Sequence, residues 1–130
     1  MDKLRILVCD DSETVRNETI RLLQLLGIRN IVEAKDGEEA ILLCHETKPH
    51  LVFMDIIMPK KDGIAALKEI HQHYPDIRVV MASSTSGLAH LKKSKRLGAY
   101  TFIQKPLGEL EVKNIIQKYL DEQTNTHTKV

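Results

Sequence analysis

Two patterns alternate along the chain. Short runs of β-branched and aliphatic residues occur at Leu4 to Cys9, Ile28 to Ala34, Leu51 to Met54, Ile77 to Ala82 and Tyr100 to Gln104. The segments between them carry apolar residues at helical spacing. In the first, Val15, Thr19, Leu22, Leu23 and Leu26 share one face, and Arg16, Asn17, Arg21 and Gln24 share the other. It ends at Gly27, a residue suited to a left-handed stop. Asp36-Gly37 opens the second, with Ala40, Leu43 and Cys44 inward, and Lys48-Pro49 closes it. Asp62-Gly63 opens the third, whose stripe of Ile64, Leu67 and Ile70 ends at Tyr74-Pro75. The fourth carries Leu88, Leu91 and Leu97 and stops at Gly98. The fifth carries Leu110, Ile115, Ile116 and Tyr119.

Near-continuous apolar runs are the mark of parallel strands covered on both faces. Five βα units joined by right-handed crossovers predict an α/β fold, an open doubly wound sheet with helices on both sides. One domain is expected over residues 1–120, followed by a polar, frayed tail over 121–130.

Composition narrows the class. At 130 residues the chain suffices for one core, and 42% hydrophobic with 28% charged residues excludes collagen-like and wholly disordered readings. A formal net charge of +1 supplies no field toward nucleic acid or a membrane surface. The apolar runs are too short to span a bilayer, and the first residues lack the long apolar stretch of a signal peptide. Cys9 and Cys44 stand in no metal-ligand spacing and are read as reduced core residues, which favours a cytoplasmic protein.

In doubly wound sheets the reactive groups gather at the carboxyl ends of the strands. Here the first strand ends in Asp10-Asp11, the third in Met54-Asp55 and the fourth in Ser83-Ser84-Thr85, while the fifth runs into Lys105-Pro106. A single Asp at such a place is often a helix cap. Three carboxylates, hydroxyls and a lysine arriving from four strands are not explained that way. Clustered carboxylates repel unless a cation sits among them, and oxygen donors without His or Cys favour Mg²⁺. A cation beside a carboxylate and a lysine suits a phosphoryl group, which the carboxylate would attack to give an aspartyl phosphate.

At these residues the chain resembles a known family. Asp10-Asp11, the run Asp55-Ile-Ile-Met58-Pro59-Lys-Lys-Asp62-Gly63, Ser83 and Lys105-Pro106 look, in that order, like the receiver domain of two-component response regulators. The resemblance covers roughly residues 4–120 and is of the CheY-like, single-domain kind. It implies a flavodoxin-like sheet of strand order 2-1-3-4-5. It implies that Asp55 is the phosphoacceptor, served by a sensor histidine kinase or a phosphotransfer protein. Asp11 and Asp55 would bind Mg²⁺ directly, with Mn²⁺ as a substitute, Asp10 would act largely through water, and the backbone carbonyl of Ile57 would be a further ligand. Lys105 would pair with the phosphoryl oxygens, and its bond to Pro106 would be cis. Ser83 would bond the phosphoryl group and Phe102 would swing inward, coupling the site to a protein target on the face of the fourth helix, fifth strand and fifth helix.

The protein would then be no enzyme in the ordinary sense, but a phosphoacceptor assisting its own phosphorylation and dephosphorylation. Because no further domain follows Leu120, a stand-alone receiver is expected, monomeric or a weak phosphorylation-dependent dimer. The stretch from Leu51 to Leu67 points toward the chemotaxis regulators of Gram-positive bacteria. A phosphorelay intermediate, a receiver cut from a longer regulator and a non-phosphorylated scaffold are the alternatives.

Four positions depart from the family pattern. Ser84 and Thr85 add hydroxyls beside Ser83, Leu107 stands where Phe is common, and Ile57 is an aliphatic residue unable to position a water. Lys92-Lys93-Ser94-Lys95-Arg96 is either a solvated face or a patch for an acidic partner. The six histidines are scattered and read as structural or surface residues. A flavodoxin-like FMN carrier is disfavoured by Asp10-Asp11 where a phosphate loop would be needed. A phosphatase with an Asp nucleophile is disfavoured by Ile57 where a second Asp is required.

Overall fold

The structure is a computed structural model describing residues 3–58, 60–84 and 88–128. Five strands alternate with five helices: β1 (Arg5–Cys9), α1 (Glu13–Leu25), β2 (Asn30–Ala34), α2 (Gly37–Thr47), β3 (Leu51–Asp55), α3 (Gly63–His73), β4 (Arg78–Ser83), α4 (Leu88–Arg96), β5 (Thr101–Gln104) and α5 (Glu109–Thr128). All neighbouring strands are parallel, in the order β2-β1-β3-β4-β5, so the expected doubly wound sheet is present.

The apolar runs divide by residue parity, because successive side chains of a strand point to opposite faces. Leu7, Cys9, Val52, Met54, Val79 and Met81 face α2 and α3. Ile6, Val8, Leu51, Phe53, Val80 and Ala82 face the other way and pack with Leu23 of α1 and Val112, Ile116 and Tyr119 of α5. Both free cysteines are buried, as the sequence predicts.

Helix starts follow short polar signals. Ser12, Asp36 and Asp62 cap α1, α2 and α3 with side-chain oxygens that accept from Val15, Glu39 and Ala65 N–H. α1 gives way at Gly27, where φ is +90°. Two expectations fail on α5. Leu110 is 68% exposed and Val112, fully buried, takes its place in the core. The residues expected to fray from 121 onward instead continue the helix to Thr128. Glu122 explains part of this, accepting from the Tyr100 hydroxyl at 2.7 Å and so tying the extra turn to the sheet. Gln117 also donates to Asp121 at 3.0 Å along the helix. Among the described residues, no helix is long and apolar enough to cross a membrane.

Candidate functional site

Parallel strands deliver their last residues to one edge of the sheet. Between β1 and β3 the strand order reverses, the connections depart to opposite faces, and a cleft opens. Asp10 and Asp11 follow β1, Asp55 ends β3 and Lys105 follows β5. One carboxylate oxygen from each of Asp10, Asp11 and Asp55 lies within 4.8 Å of the others. Lys105 reaches into the cluster, with Nζ 2.5 Å from Asp10 Oδ2 and 3.0 Å from Asp55 Oδ1. Asp10 and Asp55 are buried, and Asp11 is exposed at the lip.

Local contacts hold each group. Asp10 Oδ1 accepts the Ser12 N–H at 2.9 Å, and the Asp10 carbonyl accepts Nη1 of Arg16 at 2.8 Å. Arg16 also pairs through Nε with Glu33 at 3.1 Å. After Asp55 the chain turns so tightly that Gly63 N–H donates to the Ile56 carbonyl at 2.7 Å. A Cβ on Gly63 would stand 1.9 Å from the Asp55 carbonyl oxygen, so only glycine lets α3 begin there. Lys105 N–H donates to the Ser83 carbonyl at 2.8 Å, and its bond to Pro106 is cis, as the resemblance implies.

Burial pushes the Asp55 carboxyl above its ordinary range, and the charges of Asp10 and Asp11 push the same way. The hydrogen bond and charge of Lys105 oppose this without cancelling it. For Lys105, burial works against the ammonium, yet its hydrogen bonds to Asp10 and Asp55 outweigh the loss and its pKa is raised. One ammonium among three carboxylates leaves the cluster short of positive charge. Oxygen donors this close, with no imidazole among them, fit a hard divalent cation such as Mg²⁺. Cys9 lies beneath, its thiol donating to the Asp36 carbonyl at 3.3 Å. Burial first, then the surrounding carboxylates, raise its pKa, so it stays a thiol and not a metal ligand.

Asp10, Asp11, Asp55 and Lys105 therefore meet as the sequence predicts. Lys105, expected against phosphoryl oxygens, here bridges Asp10 and Asp55. Ser83 ends β4 with its side chain buried, Ser84 is exposed, and Thr85 lies outside the described residues. Ile57 is 62% exposed on the loop after Asp55. Phe102 is half-buried on β5, paired with Met81 and packed on the α2–α3 side of the sheet. Leu107 is half-buried on the opposite side. Arg16 departs from the expected polar face of α1. Its side chain turns back onto the Asp10 backbone and is only 16% exposed. An arginine four residues after the Ser12 cap was the available signal, since about one helical turn brings it back beside the strand end.

Fold and cluster together define the class: a doubly wound (βα)₅ domain that gathers carboxylates and a lysine at its switch point. The model of the response regulator receiver domain family matches residues 6–117, and the chain belongs to that family. It is 37% identical over 117 residues to the chemotaxis protein CheY of Bacillus subtilis, covering 90% of this chain and 98% of that one. It is 31% identical over 121 residues to protein PilG of Pseudomonas aeruginosa, covering 92% and 89%. Among solved structures, CheY in the CheX–CheY–BeF₃–Mg complex of Borrelia burgdorferi is similar, with a TM-score of 0.85, 31% identity, and coverage of 92% of this chain and 90% of that one.

Proposed function

We propose that this chain is a phosphorylation-dependent switch in a two-component pathway, with Asp55 as phosphoacceptor. The observation that carries the reading is the meeting of three carboxylates with Lys105 at the mouth of the sheet. A carboxylate oxygen of Asp55 attacks the phosphorus of a phosphohistidine on a sensor kinase or phosphotransfer protein. The O–P bond forms as the N–P bond breaks, and the imidazole leaves with the electron pair and takes up a proton. Lys105, anchored by Asp10, then exchanges its Asp55 oxygen for phosphoryl oxygens. Asp11 and Asp55 would hold Mg²⁺ (or Mn²⁺), with Asp10 largely through water and the Ile57 carbonyl as a further ligand, and the ion would supply positive charge against the phosphoryl oxygens.

Ser83, on the strand next to Asp55, bonds the phosphoryl group, and Phe102 moves inward with it. The α4-β5-α5 face thereby changes for a downstream protein target. The names of the Bacillus and Borrelia relatives support a chemotaxis-type pathway. Two free buried cysteines support a cytoplasmic location.

Intact mass after incubation with acetyl phosphate tests this reading. One added phosphoryl group that requires both Mg²⁺ and Asp55 is expected, with none on Asp55→Asn. Addition that persists in Asp55→Asn, or none from acetyl phosphate and from a panel of phosphorylated histidine kinases, contradicts it.

A further inference from the structure

A groove of about 740 Å³ separates α3 from α4, on the side of α4 away from β5. Apolar Ile57, Ala65 and Leu97 line it together with basic Lys68, His90 and Lys93. Ile57 is 62% exposed, although it sits on the loop that follows Asp55. Asp62, the acidic residue of the groove, already spends a carboxylate oxygen on the Ala65 N–H at 2.8 Å as the cap of α3. Helix α4 carries four cations and no carboxylate over Leu88–Arg96. Its last-turn cations complement the helix dipole, but Lys68, in the middle of α3, has no such role. No ion pair to Lys68 or Lys93 occurs among the described residues.

The complementary surface lies on the same chain. On α2, Glu38, Leu42 and Glu46 follow at intervals of four and so form one stripe. All three are exposed, and Leu42 at 54% is among the most exposed large apolar residues of the molecule. An aliphatic centre flanked by carboxylates is the inverse of an aliphatic centre flanked by lysines. Both surfaces belong to helices of the same sheet face, with α3 between them. The groove of one copy can therefore take the stripe of another while offering its own stripe in return.

We propose that the groove between α3 and α4 is a self-association surface that binds the Glu38–Leu42–Glu46 stripe of a second copy of this chain. The contact shares α4 with the α4-β5-α5 face but uses no residue of β5 or α5, and it needs neither phosphorylation nor metal. An interface with this much charge is reversible and sensitive to salt. Nucleic acid is the poorer occupant, because the groove offers no Phe, Tyr or Trp on which a base could stack.

Sedimentation velocity on the unphosphorylated full chain without Mg²⁺ tests the proposal, and so its outcome is independent of Asp55 chemistry. The weight-average mass should rise reversibly above the 14.8 kDa of one chain with increasing concentration, and fall back in high salt. The double variant Lys68→Glu with Lys93→Glu should be monomeric, as should Glu38→Lys with Glu46→Lys. An equimolar mixture of the two should associate, because each surface then meets its new complement. All four positions are exposed, and circular dichroism confirms that the variants fold. Ile57→Ser should weaken association of the otherwise unchanged chain. A wild type that stays monomeric to millimolar concentration, association indifferent to the reversals, or a mixture that fails to associate would overturn the proposal. In the first case a foreign acidic partner becomes the occupant to seek.

Discussion

The charges of single residues set the character of the site. Asp55 is held above the ordinary carboxyl range chiefly by burial, so the folded chain retains its proton more readily than the unfolded chain does. Protonation of Asp55 thus stabilises the fold fully below the ordinary carboxyl range, and that contribution is lost as pH rises through the raised pKa. At neutral pH its charge therefore opposes folding. Asp55→Asn should raise Tm by a few degrees in metal-free buffer at neutral pH, and the gain should vanish in acid. Differential scanning calorimetry across pH reads this, and a lower Tm for the variant would contradict it.

His50 behaves oppositely. Its Nδ1 accepts the Arg5 N–H at 3.0 Å, while burial and then the charge of Arg5 lower its pKa. The stability this confers is complete above the ordinary histidine range and is lost as pH falls below about 6.5. The urea midpoint should drop between neutral pH and about pH 5, and more steeply than for His50→Gln. Equal slopes would remove His50 from the account.

Asp10, Asp11 and Asp55 were legible because each ends a recognisable apolar run. The partners of Lys105 and the inward turn of Arg16 were not. Lys105 meets carboxylates delivered by two other strands, and Arg16 turns back onto the Asp10 carbonyl and Glu33, contacts that no hydrophobic periodicity records.

At the scale of elements, the sequence marks where helices begin more clearly than how they end. Asp36-Gly37 and Asp62-Gly63 announce α2 and α3 because the aspartate caps and the glycine permits close approach. A Cβ at Gly37 would meet the Lys61 carbonyl oxygen at 2.3 Å, so the loop after Asp55 is clamped to the start of α2 as well as to α3. Gly63→Ala should therefore destabilise the fold by about 1–3 kcal/mol or more through overpacking, and should displace Asp55. Urea denaturation together with acetyl phosphate labelling checks both effects, and an unchanged midpoint would mean that the turn yields easily.

The strands were read to within two residues, because the central ones are buried on both faces and form continuous apolar runs. The far end of α5 was missed for the reverse reason. Asp121 to Thr128 is a polar segment, and the Glu122–Tyr100 hydrogen bond that draws it in is tertiary. Leu110 was misassigned although the spacing favours Val112, which stands three, four and seven residues before Ile115, Ile116 and Tyr119, while Leu110 lies about 200° round the helix from Val112.

The whole molecule converts sheet topology into a chemical address. Parallel order β2-β1-β3-β4-β5 sends three carboxylates to one edge, and folding does so against their mutual repulsion. A cation that binds this folded cluster but not the unfolded chain must stabilise the protein by mass action. At a free Mg²⁺ concentration tenfold above its dissociation constant the gain is about 1.4 kcal/mol. Thermal unfolding should thus shift upward with Mg²⁺ in the wild type and scarcely at all in Asp11→Ala, whereas identical shifts would place the ion elsewhere.

The central claim is that Asp55 alone carries the phosphoryl group, and trapping the acyl phosphate tests it most directly. After phosphorylation, borohydride reduces an aspartyl phosphate to homoserine, and peptide sequencing by mass spectrometry locates the converted residue. Homoserine at position 55 and at no other aspartate is the predicted result. Conversion at Asp10 or Asp11, or at none of the three in protein whose mass shows phosphorylation, would contradict the account.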